Sequence, residues 1–154
     1  MKRFSFFIGA LVLMMMASCQ NGSKDKVLLT RDFHPSGWER FDFITDELDV
    51  KQPTTYDITM KASFDDSYTA DYFSVVFTVF DSEDQPLRAK NYKFSLKEKD
   101  GTWKSDLKDG LYTFTFPINS EMSFNEPGRY ILQLESHMPI TPLIGIRHIS
   151  LRTN

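Results

Sequence analysis

Apolar and polar residues alternate in short runs through most of the chain, and the runs are rich in Phe, Tyr, Val, Ile and Thr. From Tyr56 to Ala62 every second residue is apolar, which predicts a strand with one face in a core and the other in water. From Phe73 to Phe80 both faces are largely apolar, as is typical of a central strand that is covered on each side. The pattern therefore predicts an all-β protein.

Clusters of Pro, Gly, Asp and Asn separate the runs, as tight turns between strands would. The predicted strands span residues 27–33, 39–44, 56–64, 72–81, 92–97, 111–117, 128–136 and 144–152. Short strands with frequent turn signals favour two packed sheets. The sequence thus predicts a single antiparallel β-sandwich domain over residues 27–154, jelly-roll-like and built from about eight strands.

The N-terminal residues follow a different pattern. A short cationic start precedes an apolar run that ends at Met16 and is too short to span a bilayer. Two small residues follow this run, and then comes Cys19, the only cysteine in the chain. A lipoprotein signal peptidase requires this arrangement. Residues 1–18 are therefore predicted to be a lipoprotein signal peptide, and Cys19 is predicted to carry the lipid.

Membrane anchoring follows from a lipidated Cys19. Each buried CH₂ group contributes about 0.8 kcal/mol, so several palmitate-type chains on one residue hold a protein at a membrane essentially permanently. Residues 19–26 are small, polar and charged, which favours a flexible tether. The tether lacks the acidic run that resembles a surface-export signal. We therefore expect a cell-envelope protein anchored to the inner or outer membrane, with its domain in the periplasm.

Composition and charge narrow the function classes. Without Lys2 and Arg3, 16 basic residues remain against 21 acidic ones, which is a formal charge of −5. Such a chain is a poor partner for nucleic acid or for anionic lipid surfaces. Because Cys19 is used for acylation, no disulfide is available, and the packed core alone must stabilise the domain.

Residues with catalytic or metal-binding chemistry are few. The chain has three histidines, and none is paired at metal-ligand spacing: His34, His137 and His148. Acidic clusters at residues 65–66 and 81–84 lie in predicted loops, without the ligand spacing of a calcium loop. No serine stands in a nucleophile context, so we expect no enzyme activity and no cofactor. Carboxylates that separate strands bring together, as in glycosidases, are the remaining enzyme alternative.

The two tryptophans leave two interpretations open. Trp38 follows a Pro-Ser-Gly turn, and Trp103 follows Asp-Gly. Each indole either packs over one end of the core or offers a stacking platform for a sugar ring. Exposed, coplanar aromatic rings in one groove would favour a glycan-binding surface lipoprotein. Burial of both indoles would favour core packing.

Several short motifs occur in an order that is similar to a known family. They are Trp38, Phe41-Asp42-Phe43-Ile44-Thr45-Asp46, Asp100-Gly101-Thr102-Trp103, Pro127-Gly128-Arg129-Tyr130, Met138, and Leu143-Ile144-Gly145-Ile146-Arg147-His148-Ile149-Ser150-Leu151-Arg152. In this order they resemble the GldH family, the gliding-motility lipoproteins of Bacteroidetes. The motifs cover nearly the whole chain after the predicted signal peptide.

The resemblance implies a non-catalytic accessory lipoprotein, associated with other envelope proteins of the gliding or type IX secretion machinery. A partner would then bind an aromatic or apolar patch on one sheet or its end loops. The candidates for this partner surface are Trp103, Met138, Leu143, Gly145 and Ile146. Their structural interpretation is that Gly145 permits a close strand approach, Met138 fills the core and Trp103 closes a sandwich end. The alternative function is glycan binding.

Overall fold

The alternating runs form two antiparallel sheets in a computed structural model that describes residues 25–153. Its strands are β1 (Val27–Asp32), β2 (Ile44–Val50), β3 (Thr54–Phe64), β4 (Tyr72–Phe80), β5 (Pro86–Ser95), β6 (Leu107–Lys108), β7 (Leu111–Phe124), β8 (Gly128–Ser136) and β9 (Ile146–Thr153). Every regular element in residues 25–153 is a strand, and no membrane-crossing helix is found among them. The predicted all-β class is confirmed.

The strands are arranged as a jelly roll. One sheet has the order β1-β9-β3-β7-β6, and the other has the order β2-β8-β4-β5. Without the two-residue β6, four long strands face four, in the order that two Greek keys of a jelly roll produce. The predicted sandwich is therefore confirmed, with nine strands in the described residues instead of eight.

The inner faces of the two sheets form the core. On β3, Ile58, Met60 and Ala62 are at most 1 % exposed, as the alternation predicted, and Tyr56 is half-buried. β4 lies between β8 and β5 and most of its residues are buried, so its predicted central position is confirmed. The long strands thus bring apolar rows from distant parts of the chain into one layer, roughly 10 Å thick.

Three predicted strands have wrong bounds, and exposed edge strands explain two of them. β7 continues to Phe124, beyond the predicted end at residue 117. The run 39–44 is mostly loop, and β2 begins only at Ile44. β2 lies at a sheet edge and carries exposed acidic residues, which hid its alternation. β5 begins at Pro86, well before the predicted start at Tyr92, because all of its first six residues are exposed.

The two ends of the sandwich carry different parts of the chain. β1 runs from Val27 to Asp32 and pairs along its length with β9. The loop 33–43 follows β1 and the loop 137–145 precedes β9, so both lie at the end away from Val27. We call this the distal end, and the two loops the distal loop pair. At about 3.3 Å per residue, the six residues of β1 place the distal end roughly 20 Å from Val27.

The last two residues of the predicted tether belong to the folded domain. The Asp25 carboxylate accepts a hydrogen bond from Arg152 at 3.0 Å. The Lys26 amide donates to the Thr153 hydroxyl oxygen at 3.2 Å, and the Thr153 amide donates to the Lys26 carbonyl at 2.9 Å. We call this the entry end of the domain. Cys19 and the predicted signal peptide at residues 1–18 lie outside the described residues.

Candidate functional site

Hydrogen bonds between its two loops shape the distal end. The Trp38 amide donates to the Leu143 carbonyl at 3.1 Å, and the Leu143 amide donates to the Trp38 carbonyl at 2.8 Å. The Arg40 amide donates to the Thr141 hydroxyl oxygen at 2.8 Å. Because these bonds satisfy backbone groups of both loops, they fix one loop against the other.

Trp38 is the buried centre of the distal loop pair. Its side chain is 1 % exposed, and its indole N–H donates to the Asp42 carbonyl at 2.6 Å. The Phe33 ring packs against the indole, with ring centroids 5.1 Å apart. The core-packing interpretation of Trp38 is therefore confirmed, and its indole has no free face for a sugar.

Phe41 is exposed and has an unfavourable backbone conformation. Its side chain is 76 % exposed, and its φ of +66° lies in the left-handed region, which bulky residues rarely adopt. The adjacent Asp42 is held by two side chains. The Trp38 indole donates to its carbonyl, and the Arg31 guanidinium donates to its two carboxylate oxygens at 2.9 and 3.2 Å. Such strain persists only where the surrounding contacts enforce it, and it is concentrated at functional sites.

Exposed apolar side chains are concentrated at the distal end. Seven large apolar side chains are exposed in the described residues, and four of them lie in the distal loop pair: Phe41, Phe43, Ile140 and Ile144. We call these four residues the apolar rim. The Phe41 and Phe43 rings meet edge to face, with centroids 6.4 Å apart. Exposed apolar side chains gathered at one end of a folded domain are typical of a contact surface for a protein or a membrane.

A cleft of about 620 Å³ lies beside the distal loop pair, on the outer face of β4 and β5. We call it the distal cleft. Its lining includes Arg40 and Phe41 from the first loop, Tyr72 from β4, Lys93 from β5 and Glu135 from β8. The Lys93 ammonium lies over the Tyr72 ring, 4.0 Å from its centroid, in a cation–π contact. The cleft thus combines aromatic rings with charged groups.

The distal cleft is cationic, although the protein is acidic. The whole chain has a formal charge of −3, whereas the charged lining residues are Arg40, Lys93 and a single acid, Glu135. Neither cation forms an ion pair within residues 25–153. The Arg40 guanidinium is positioned by a hydrogen bond to the Pro139 carbonyl at 3.1 Å. Both positive charges are therefore available to an anionic group.

Three of the five residues predicted for a partner surface are buried. Met138, Leu143 and Ile146 are 4 %, 3 % and 0 % exposed. Met138 lies at the base of the distal cleft, where its sulfur accepts a hydrogen bond from the Ser74 amide at 3.2 Å. This corrects the expectation for these three residues: a partner cannot reach their side chains, and they support the loops that carry the apolar rim.

Gly145 allows two chain segments to touch. Its φ is +87°, and a Cβ atom there would lie 2.6 Å from the Tyr68 Cα atom. The Gly145 carbonyl accepts a hydrogen bond from the Asp65 amide at 2.9 Å. Glycine therefore lets the loop 137–145 pack directly on the turn that precedes β4. The close approach expected at Gly145 is confirmed.

Arg147 fixes the same turn through Asp65. Its guanidinium lies 2.5 Å from an Asp65 carboxylate oxygen, and each of the two side chains is 23 % exposed. Partial burial raises the pKa of the Asp65 carboxyl. Hydrogen bonds from the Ser67 hydroxyl and amide and from Arg147 outweigh this effect, so the pKa is lowered below its ordinary value of 3.8.

Asp65→Asn is expected to destabilise the fold in a pH-dependent way. Because the folded-state pKa is lowered, the ionised carboxylate stabilises the fold above the unfolded value, near pH 4, and this contribution is lost as the pH falls through the folded-state pKa. Urea unfolding at about pH 7 and about pH 3 measures the difference in free energy of unfolding from the wild type. The difference should shrink at low pH, and a constant difference would contradict the ionic role.

Trp103 is half-buried, and its ring faces are occupied. The Tyr112 ring stacks on the indole, with centroids 4.2 Å and planes 8° apart, and the Lys97 ammonium lies 4.7 Å from the indole centroid. The rings of Phe64 and Phe114 pack within 6.3 Å. A sugar ring needs a free aromatic face, so Trp103 covers the core beside Phe64 and offers no platform. Neither tryptophan supports the glycan-binding alternative.

The residues considered for catalysis or metal binding take part in local structure. His148 bonds to the Asp32 carboxylate at 2.7 Å, through its Nδ1 atom. The Asp81 carboxylate closes its own turn by accepting hydrogen bonds from two backbone amides of that turn. Residues 25–153 contain no group of three or more His, Cys, Asp or Glu side chains placed to hold a metal ion.

Sequence reasoning missed the exposed residues of the distal site. Phe41 and Phe43 stand in a run that alternation assigned to a strand, and Arg40 precedes them. Lys93 lies within the predicted strand 92–97, and the sequence does not show that it reaches the same cleft as Arg40. The Phe-x-Phe motif gave no warning, because two apolar residues separated by one polar residue are also the pattern of an inner strand face.

The fold and the site define an antiparallel jelly-roll domain whose distal end exposes a fixed apolar rim beside a cationic cleft. A family model described as GldH lipoprotein matches residues 29–152. The chain therefore belongs to the GldH lipoprotein family, as the order of its motifs indicated. Membership of a lipoprotein family implies a lipid-anchored protein of the cell envelope. A comparison with curated proteins found no match.

Proposed function

We propose that the chain is a non-catalytic interaction module, anchored to a membrane of the cell envelope and associated with the gliding or type IX secretion machinery. The apolar rim is the observation that supports this function. Four large apolar side chains are exposed on two loops that hydrogen bonds hold in one shape. Such a surface is suited to contact with another macromolecule. The association with gliding or secretion follows the resemblance to gliding-motility lipoproteins.

The position of the apolar rim favours a protein partner over the anchoring membrane. The chain enters the domain beside Val27, roughly 20 Å from the distal end. A tether from Cys19 joins the domain at its entry end, so the apolar rim at the opposite end is free to reach proteins in the periplasm. Tethering raises the effective concentration of the module near other envelope proteins, even where each pairwise affinity is weak.

Co-purification from crosslinked cells tests the function. A tag after the C-terminus is suitable because Thr153 lies at the entry end, away from the apolar rim. The wild-type chain should recover gliding or secretion components, and Cys19→Ala should lose them because the unanchored protein is diluted. Phe41→Ala should lower recovery at least about fivefold, as expected for an aromatic anchor in an interface.

Leu87→Ala is the matched control for Phe41→Ala. Leu87 is also a large apolar residue, 58 % exposed, but it lies on β5 near the entry end. Its substitution should leave recovery unchanged. Recovery of only abundant envelope proteins by the wild type would contradict the association with this machinery. Equal recovery by Phe41→Ala, Leu87→Ala and wild type would contradict the role of the apolar rim.

A further inference from the structure

We infer that the distal cleft binds a segment of a partner protein in which an apolar or aromatic side chain stands next to a carboxylate. The inference rests on the proposed function, because it gives the chemistry of the partner at the same end of the domain. Three features support it: an exposed aromatic residue whose backbone is held in place, two cations without ion-pair partners, and a side-chain amide with a free N–H group.

Phe41 provides the apolar contact. Its ring is 76 % exposed and lines the distal cleft, and its backbone is held at a φ of +66°. Phenylalanine would leave this conformation if the contacts of Asp42 with Trp38 and Arg31 did not enforce it. A backbone that is held before binding loses little conformational entropy in a complex, and aromatic anchors carry much of the binding energy of interfaces.

Arg40 and Lys93 provide the positive charge. Lys93 is held over the Tyr72 ring, and Arg40 donates to the Pro139 carbonyl, so both groups are positioned without being neutralised. One hydrogen bond uses only part of the five N–H donors of an arginine. A carboxylate that follows an apolar side chain into the cleft can therefore pair with either cation.

The cationic balance distinguishes the distal cleft from a second cleft of similar volume. That second cleft lies at the entry end, between the turn after β4 and the turn after β7. Its lining contains acids as well as arginines: Asp81, Glu83, Glu126, Arg88 and Arg129. An acidic segment is therefore attracted to the distal cleft and not to the cleft at the entry end.

Asn91 adds hydrogen-bond donors to the distal cleft. The Ser74 hydroxyl lies 3.0 Å from the Asn91 side-chain amide and 2.9 Å from the Tyr92 carbonyl. Ser74 can engage at most one N–H group of the Asn91 amide. Asn91 is exposed, and its amide has no other hydrogen-bond partner within residues 25–153. At least one N–H group can therefore donate to the carboxylate or to a backbone carbonyl of the bound segment.

Charge and position disfavour a lipid surface as the occupant. Anionic membranes attract clusters of about four to eight basic residues, whereas the lining of the distal cleft has only Arg40 and Lys93 as fixed cations. The cleft also lies at the end opposite the point where the chain enters from its anchor. The crosslinking test also identifies a second copy of this acidic chain, if that is the occupant of the cleft.

Photo-crosslinking in living cells tests the inference on the full-length, lipidated chain. p-Benzoylphenylalanine replaces Phe41, and mass spectrometry identifies the captured peptide. We expect a protein segment with an Asp or Glu directly beside the crosslinked residue or one position away. The same amino acid at Leu87, which is exposed near the entry end, is the positional control and should not capture that segment.

Charge variants test whether the cations of the distal cleft recognise the carboxylate of the captured segment or whether the segment is only nearby. Lys93→Glu and Arg40→Glu should each lower the crosslink yield at least tenfold, which is about 1.4 kcal/mol. Lys90→Glu is the matched control, since Lys90 is exposed on the same strand and lies 4.9 Å over the Tyr92 ring, outside the distal cleft. Exchange of the partner's acid for lysine should restore capture by the Lys93→Glu chain.

Several results would overturn the inference. In the crosslinking experiment, these are capture of lipid, capture of a second copy of the chain, capture of a segment without a carboxylate, or no crosslink at wild-type protein levels. In the comparison of charge variants, equal crosslink yields from Lys90→Glu and Lys93→Glu would also overturn it. If co-purification recovers gliding or secretion components but the Phe41 crosslink fails, the inference alone is wrong. If Phe41 captures an acidic segment of an envelope protein outside that machinery, the cleft chemistry holds and the proposed association is wrong.

Discussion

Replacing Gly145 with alanine is expected to lower the free energy of unfolding by at least about 3 kcal/mol. A φ of +87° costs an L-residue about 1–2 kcal/mol. The added Cβ atom would also lie 2.6 Å from the Tyr68 Cα atom, and main-chain atoms cannot turn aside as a side chain can. Overpacking of this kind costs about 1–3 kcal/mol more. Urea unfolding followed by tryptophan fluorescence measures the loss.

Gly101→Ala is the matched control for Gly145→Ala. Gly101 has a φ of +85°, but a Cβ atom there would meet no other atom within 4 Å. Only the backbone preference is lost, so we expect a decrease of about 1–2 kcal/mol in the free energy of unfolding. Equal losses at both positions would contradict a stability role for the contact between Gly145 and Tyr68.

The Gly145 contact also connects the stability of the fold with the distal site. Gly145 directly follows Ile144, a residue of the apolar rim, and packs on the turn that carries Tyr68. Leu143, two residues before Gly145, exchanges backbone hydrogen bonds with Trp38. A shift at Gly145 would therefore move both loops of the distal pair. Motif residues that never reach the surface thus decide where the exposed residues lie.

The sequence pattern predicted two kinds of strand. One kind has a buried face and an exposed face, and the other is buried on both faces. β3 and β8 have one inner apolar face, and β4 lies inside its sheet, so their side-chain patterns reflect the core directly. The edge strands were harder to predict. In β5, the early residues Arg88 and Lys90 are exposed because the sandwich is open beside them, so burial does not impose a pattern.

The distal site could not be predicted from local pattern, because contacts distant in sequence determine it. Phe41 and Phe43 look like two inward residues of a strand, and both are exposed because bonds from Trp38 and Arg31 to Asp42 hold this segment as a loop. Near the C-terminus, the partner-surface candidates Met138, Leu143 and Ile146 are buried. Sequence order does not show which side of a loop faces the core, so it could not decide between their partner-surface and structural interpretations.

Trp38→Ala is expected to lower the free energy of unfolding by about 3–5 kcal/mol. The indole is 1 % exposed, so its removal leaves a cavity beside Phe33. The Asp42 carbonyl also loses its donor, which adds the cost of an unsatisfied polar group. Since a domain of this size has a total stability of roughly 5–15 kcal/mol, the variant loses a large share of it. Urea unfolding followed by circular dichroism measures the loss without relying on Trp38 fluorescence.

Trp38→Phe separates the packing of the ring from its hydrogen bond. Phenylalanine fills most of the space but cannot donate to the Asp42 carbonyl, so we expect a smaller loss of about 1–3 kcal/mol. Because that bond fixes the residue next to Phe41, the crosslink from position 41 should fall even while the chain stays folded. Trp103→Phe, at the other indole, should leave the crosslink unchanged. A Trp38→Phe chain with full crosslink yield would show that the Arg31 contact alone keeps Phe41 exposed.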